Sequence, residues 1–194
     1  MKNAFFIFFI TMVLSTNVFA KENSFFEDDS SIELKFGGWS KHDSDKLGYM
    51  DVPLNENHRG FGVEYYQSIS KNNKHWLGLG TWYMKDSFDG DSFQVSVAYK
   101  YTIPINYIID SVEFNVNAGI INRTYREMFY NNYGGYREFI GYDEYRATKA
   151  IVSPMVTLNF LDHLQLDFTY FPDKLAEHFT GNYELFFFRV GYKI

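Results

Sequence analysis

The chain has 194 residues, 46% of them hydrophobic and 21% aromatic, with a formal charge of -6 and no cysteine. That is enough for one domain with a sizeable interior, and 21 Phe, 16 Tyr and 3 Trp exclude a disordered chain. The acidic balance argues against nucleic acid as a partner, and the missing cysteines exclude disulfides, thiolate-bound metals and thiol catalysis.

Residues 1–20 read as a secretory signal peptide: Lys2 precedes the apolar stretch Ala4 to Leu14, and Val18-Phe19-Ala20 supplies a small-residue cleavage site. A short segment, 21–31, follows. The mean hydropathy of the whole chain, -0.29, and the lack of any long apolar run beyond residue 20 exclude membrane-spanning helices. Instead the chain alternates with a two-residue period, the signature of strands with two chemically different faces.

Eight strands are expected between residues 32 and 194. Ile32, Leu34 and Phe36 set one parity of the first, and Phe61, Val63 and Tyr65 that of the second. The third runs from His75 to Lys85, with Leu77, Leu79 and Tyr83 opposed to Gly78, Gly80 and Trp82. In the fourth, Phe93, Val95, Val97, Tyr99 and Tyr101 alternate without a fault against Gln94, Ser96, Ala98, Lys100 and Thr102. Val112 to Ala118, Pro154 to Phe160, Leu166 to Tyr170 and Phe186 to Ile194 continue the pattern. The polar parity is mostly uncharged and the apolar parity carries aromatics at strand ends, as on a lipid-facing belt around a polar lumen. The fold class is therefore all-β, an eight-stranded antiparallel transmembrane β-barrel of the outer membrane of a Gram-negative bacterium.

Loops orient it. Ser70–Lys74, Ile103–Asp110 and Leu161–Leu164 are short turns on the periplasmic side. Lys41–Arg59, Lys85–Asp91, Asn122–Thr148 and Asp173–Asn182 are mostly longer, polar loops at the outer mouth. The last of the strand-one residues, His42, then shares that mouth with Asp86 and Ser87. An imidazole can take a hydroxyl proton while a carboxylate orients the ring, so the three could support acyl transfer. For His42 to face inward, a bulge is needed at Gly37-Gly38, because the parity of Ile32, Leu34 and Phe36 would otherwise turn it outward. Pro154 and Pro172 lie near the outer ends of neighbouring strands and donate no ladder hydrogen bond, which leaves a seam open to lipid. Arg123, Arg126, Arg137 and Arg146 sit among aromatics in the loop 122–148, and His58, His75, His163 and His178 show no metal spacing.

Trp39-Ser-Lys-His42, Asn55-Glu56 with Gly60-Phe61-Gly62, Lys85-Asp86-Ser87-Phe88, Pro154 and Tyr170-Phe171-Pro172 resemble the lipid A palmitoyltransferase family in order and spacing. That resemblance, over Trp39 to Ile194, implies a cofactor-free acyltransferase that moves a palmitoyl-like chain from a phospholipid donor to lipid A. It implies His42, Asp86 and Ser87 as catalytic residues, Ala98 as the floor of the acyl-chain pocket, Pro154 and Pro172 as the lateral entry for lipid, and a monomer. The family's N-terminal helix is missing or shortened here, and its histidine directly follows the tryptophan, where this chain has Ser40. Two other readings stay open: a non-catalytic barrel, adhesin or structural, and a lipid A deacylase. A hollow upper half would favour the enzyme; the small inward residues Gly78, Gly80, Ser96, Ala98 and Gly119 are the feature to check.

Overall fold

The protein is described by a computed structural model covering residues 29–42, 54–105, 107–134, 136–172 and 185–194. The expected leader, the loop 173–182 and His178 lie outside the described residues. Eight antiparallel strands form a closed barrel in which each pairs with its sequence neighbours and β1 pairs with β8. They are β1 (Ser30–His42), β2 (Asn57–Ser68), β3 (His75–Lys85), β4 (Asp91–Pro104), β5 (Ser111–Tyr133), β6 (Tyr136–Phe160), β7 (Leu164–Phe171) and β8 (Leu185–Lys193).

Alternation decides which face meets lipid. Leu79, Val97, Phe114, Val152 and Phe186 are exposed, and their sequence neighbours point into the lumen. In hydrocarbon every backbone N–H and C=O needs a partner inside the protein, and closing the sheet provides it. A closed barrel with an apolar outer belt is a protein of the Gram-negative outer membrane.

The lumen is inverted relative to a soluble core. Its periplasmic part is filled by Lys35, which contacts Glu33 and Asp167 at 3.0 Å each, and by Lys100, which bonds Glu33 and lies 3.2 Å from Glu113. Arg189 bonds Asp167 at 2.7 Å and also Glu64, whose carboxylate accepts from the Tyr66 hydroxyl at 3.0 Å. Burying so many charges is tolerable because each is paired. The small inward residues make room for this filling. A Cβ at Gly78 would lie 2.5 Å from the Tyr66 ring, and one at Gly80 would lie 3.1 Å from the Glu64 side chain.

The expected bulge is present. Gly37 and Gly38 have φ of +83° and +89°, and the β1–β8 register shifts between Phe36 and Trp39. Trp39 thereby reaches the outer face, stacked on Phe188 with ring centroids 5.3 Å apart, while Ser40 and His42 turn inward.

One sequence expectation changes. Asn122–Thr148 is a two-stranded ribbon rather than a loop, with β5 and β6 paired from Ser111–Asn159 up to Tyr133–Tyr136. β4 leaves β5 at Asn122, and β7 leaves β6 at Val156, so the ribbon continues alone above the rim.

Candidate functional site: the outer mouth

His42 ends β1 and Ser87 lies in the turn between β3 and β4; the bulge brings His42 Nε2 to 3.1 Å from Ser87 Oγ. Burial pushes the His42 imidazole down to about 4, so it is neutral at ordinary pH. Glu56 pulls the other way, and its Oε1 is 3.9 Å from Nδ1, beyond hydrogen-bond distance.

Asp86 does not orient this imidazole. Its carboxylate accepts the backbone N–H groups of Phe88 and Gly90, both at 2.9 Å, and of Thr124 at 2.8 Å. It therefore caps the β3–β4 turn and clamps it to β5. Gly90 has to lack a side chain there, since a Cβ would sit 2.2 Å from Thr124 Oγ1.

A residue that sequence reasoning set aside completes the mouth. His58 Nδ1 is 2.7 Å from the Lys85 carbonyl and Nε2 is 2.7 Å from Ser40 Oγ. The carbonyl can only accept, so Nδ1 carries the proton and Nε2 accepts from Ser40. Burial lowers this imidazole too. Its inward parity with Gly60, Gly62 and Glu64 was the available signal. Together the two imidazoles hold β1, β2 and the β3–β4 turn in one cluster.

Below the mouth lies a cavity of about 80 Å³, lined among others by Arg123, Trp82, Ile121, Ile151, Phe171 and Leu185. Arg189 and Glu64 also line it, at the boundary with the charged network beneath. That volume holds roughly five to eight waters. A palmitoyl chain, whose methylenes each displace about the volume of one water, does not fit. Ala98 is buried in the lumen, as its parity requires, but it is not among the residues lining the cavity. Pro154 and Pro172 lie on one seam, as expected. The β6–β7 ladder stops at Val156–Phe168, and above it the Thr169 hydroxyl donates to the Pro154 carbonyl.

No protein-family model and no curated protein matches the chain. Solved structures do. Ail, the attachment invasion locus protein of Yersinia pestis, is 19% identical, with 85% of this chain and 97% of that one covered and a TM-score of 0.44. Neisserial surface protein A is 10% identical, covering 85% and 95%, with a TM-score of 0.45. The N-terminal β-barrel domain of Pseudomonas aeruginosa OprF is 12% identical, covering 86% and 98%, with a TM-score of 0.40.

The resemblance to the lipid A palmitoyltransferases is corrected, and with it the acyltransferase activity on phospholipid and lipid A that it implied: the cavity formed by the described residues beneath the mouth is too small for a palmitoyl chain. The His42–Ser87 contact joins the end of β1 to the β3–β4 turn.

Proposed function

We propose that the chain is a non-catalytic outer-membrane barrel, a monomer that presents the β5–β6 ribbon to partners outside the cell. The observation that carries this reading is the ribbon itself. From Arg123 to Tyr133 it extends for about 35 Å at the usual rise per residue.

It is built to stand unsupported. Arg126 donates to Glu144 through Nε at 2.8 Å, and its guanidinium lies 4.1 Å from the Phe88 ring centroid and 4.4 Å from that of Tyr142. Tyr125 stacks on Tyr145 with centroids 5.8 Å apart, and Lys149 Nζ sits 3.9 Å from the Tyr125 ring. Phe129, Ile140, Tyr142 and Tyr145 remain exposed, and large apolar side chains held above a membrane suit recognition. Both ribbon edges also carry backbone groups outside any ladder of the barrel, which an extended polypeptide can pair with.

The test replaces residues 124–147 by a two-residue turn. Cells displaying the full chain are expected to adhere to immobilised extracellular proteins, and cells with the shortened ribbon are expected to lose that adhesion while keeping a folded barrel. Equal adhesion of the two would overturn the reading.

A further inference from the structure

The end of the barrel opposite the ribbon carries an apolar surface that neither the wall nor the mouth accounts for. We propose that the turn between β4 and β5 is a membrane anchor, which seats Ile105, Tyr107 and Ile108 among the phospholipid headgroups of the periplasmic leaflet. Only the choice of leaflet rests on the ribbon lying outside the cell.

Tyr107 is 83% exposed and Ile108 71%, with Ile103 and Ile105 exposed before them. Large apolar side chains held clear of the fold mark a contact with something apolar. The β2–β3 turn at the same end is built for water instead. There the Ser70 hydroxyl bonds Asn72 Oδ1 and the Ser68 hydroxyl bonds Asn73 Oδ1, both at 2.9 Å, and Lys71 is exposed.

Height decides what the apolar side chains meet. Tyr83 pairs with Phe93 and donates its hydroxyl to Asp91 at 2.6 Å, which places the outer edge of the apolar belt on this wall at Phe93. Ile105 is twelve residues further along. With strands tilted by about 40°, each residue adds roughly 2.5 Å of height, so Ile105 lies about 30 Å below Phe93 and past an apolar band about 25 Å tall. The next layer is that of the headgroups, roughly 5–7 Å thick. Tyrosine suits it, with its ring among lipid carbons and its hydroxyl in water. The outward parity of β4 also runs through Tyr101 and Ile103 to Ile105 without a polar residue, so the surface continues the lipid-facing wall. That continuity favours lipid over a periplasmic protein.

The turn is held in place. The Ile105 N–H donates to the Asp110 carbonyl and the Asp110 N–H to the Asn159 carbonyl, both at 2.9 Å. The Asp110 carboxylate accepts from the Asp162 N–H at 2.7 Å, beside Leu161, itself 74% exposed. A backbone ordered in advance loses little further freedom on meeting the headgroups.

The test uses the full chain folded in vesicles of phosphatidylethanolamine and phosphatidylglycerol. The chain has no cysteine, so one nitroxide can be placed by a single substitution. Labels at Ile108→Cys, Lys71→Cys and Val97→Cys are compared by their collision rates with oxygen, which dissolves in lipid, and with a water-soluble nickel chelate. The oxygen-to-nickel ratio at 108 is expected to be at least threefold above that at 71 and below that at 97. Adding Ile105→Ser and Tyr107→Ser to the label at 108 should at least halve its ratio. If Ile108→Cys fails to fold, a label at Tyr107→Cys gives the same comparison with 71 and 97. A ratio at the turn equal to that at 71 would overturn the proposal and leave the surface to a periplasmic protein. A ratio unmoved by the two serines would also overturn it, by showing that the nitroxide rather than the turn seeks lipid.

Discussion

The His42 ring contacts Ser87 through Nε2 at 3.1 Å, while the carboxylate next in sequence, Asp86, turns away to bind the backbone N–H of Thr124 at 2.8 Å. Adjacent residues thus tie one turn to two different strands, β1 and β5. Burial holds the His42 imidazole at about 4, below its ordinary 6.5, with His58, Arg123 and Lys41 adding to the effect and Glu56 opposing it. A histidine whose folded value is depressed contributes full stability above its unfolded value, and that contribution is lost as pH falls from about 6.5 toward 4. The urea midpoint of the barrel in lipid vesicles is expected to decline between pH 7 and 4.5. His42→Gln with His58→Gln should flatten the decline; a wild-type midpoint independent of pH would contradict it.

The bulge makes a second expectation. Gly37 has φ of +83°, and a Cβ there would lie 2.3 Å from the Trp39 ring. Gly37→Ala should cost about 1–3 kcal/mol, measured by urea unfolding. Deleting Gly37 altogether removes the extra residue and leaves Phe36, Trp39 and Lys41 facing outward with regular alternation. The deletion should therefore fold better than the alanine variant, with Trp39 fluorescence still quenched by brominated lipid.

Arg189 bridges Asp167 and Glu64 inside the lumen. Arg189→Met leaves Glu64 without a cation, whereas Asp167 keeps Lys35 at 3.0 Å, and is expected to cost about 3–5 kcal/mol in the same assay. Adding Glu64→Gln should recover part of the loss, because it removes the unpaired charge and keeps an acceptor for the Tyr66 hydroxyl.

The ribbon should behave oppositely. The pair Arg126–Glu144 is exposed on the Glu144 side, and Arg126→Ala should change barrel stability by less than about 1 kcal/mol. Its effect belongs on the ribbon alone: faster amide exchange from Thr124 to Glu144, with β1 to β4 unchanged.

Much of the fold was legible because lipid and lumen impose opposite chemistries on successive residues. β3 spans His75–Lys85 as read, and Phe93 to Tyr101 mark the outer face of β4. The ribbon was missed for the same reason. Water lies on both sides of it, so Thr124 to Thr148 carries no polarity contrast for a two-residue period to reveal. At the mouth, the bulge that turns His42 inward could be required from parity and glycines alone. The role of Asp86 could not, since it depends on β5 continuing past Asn122 to offer the Thr124 N–H. Ala98 faces the lumen as its parity demands, but its partner in β3, Gly78, lies under the ring of Tyr66 from β2, a neighbour that counting along one strand cannot see.

The unequal lengths of the strands also bear on mechanics. A pull on the ribbon tip enters the barrel along β5 and β6 as shear. β5 passes its share to β4 over twelve paired positions, whereas β6 meets β7 at five. Tension from a bound surface is thus concentrated on the short Val156–Phe160 ladder, and the seam below the two prolines is where the wall would part first under load.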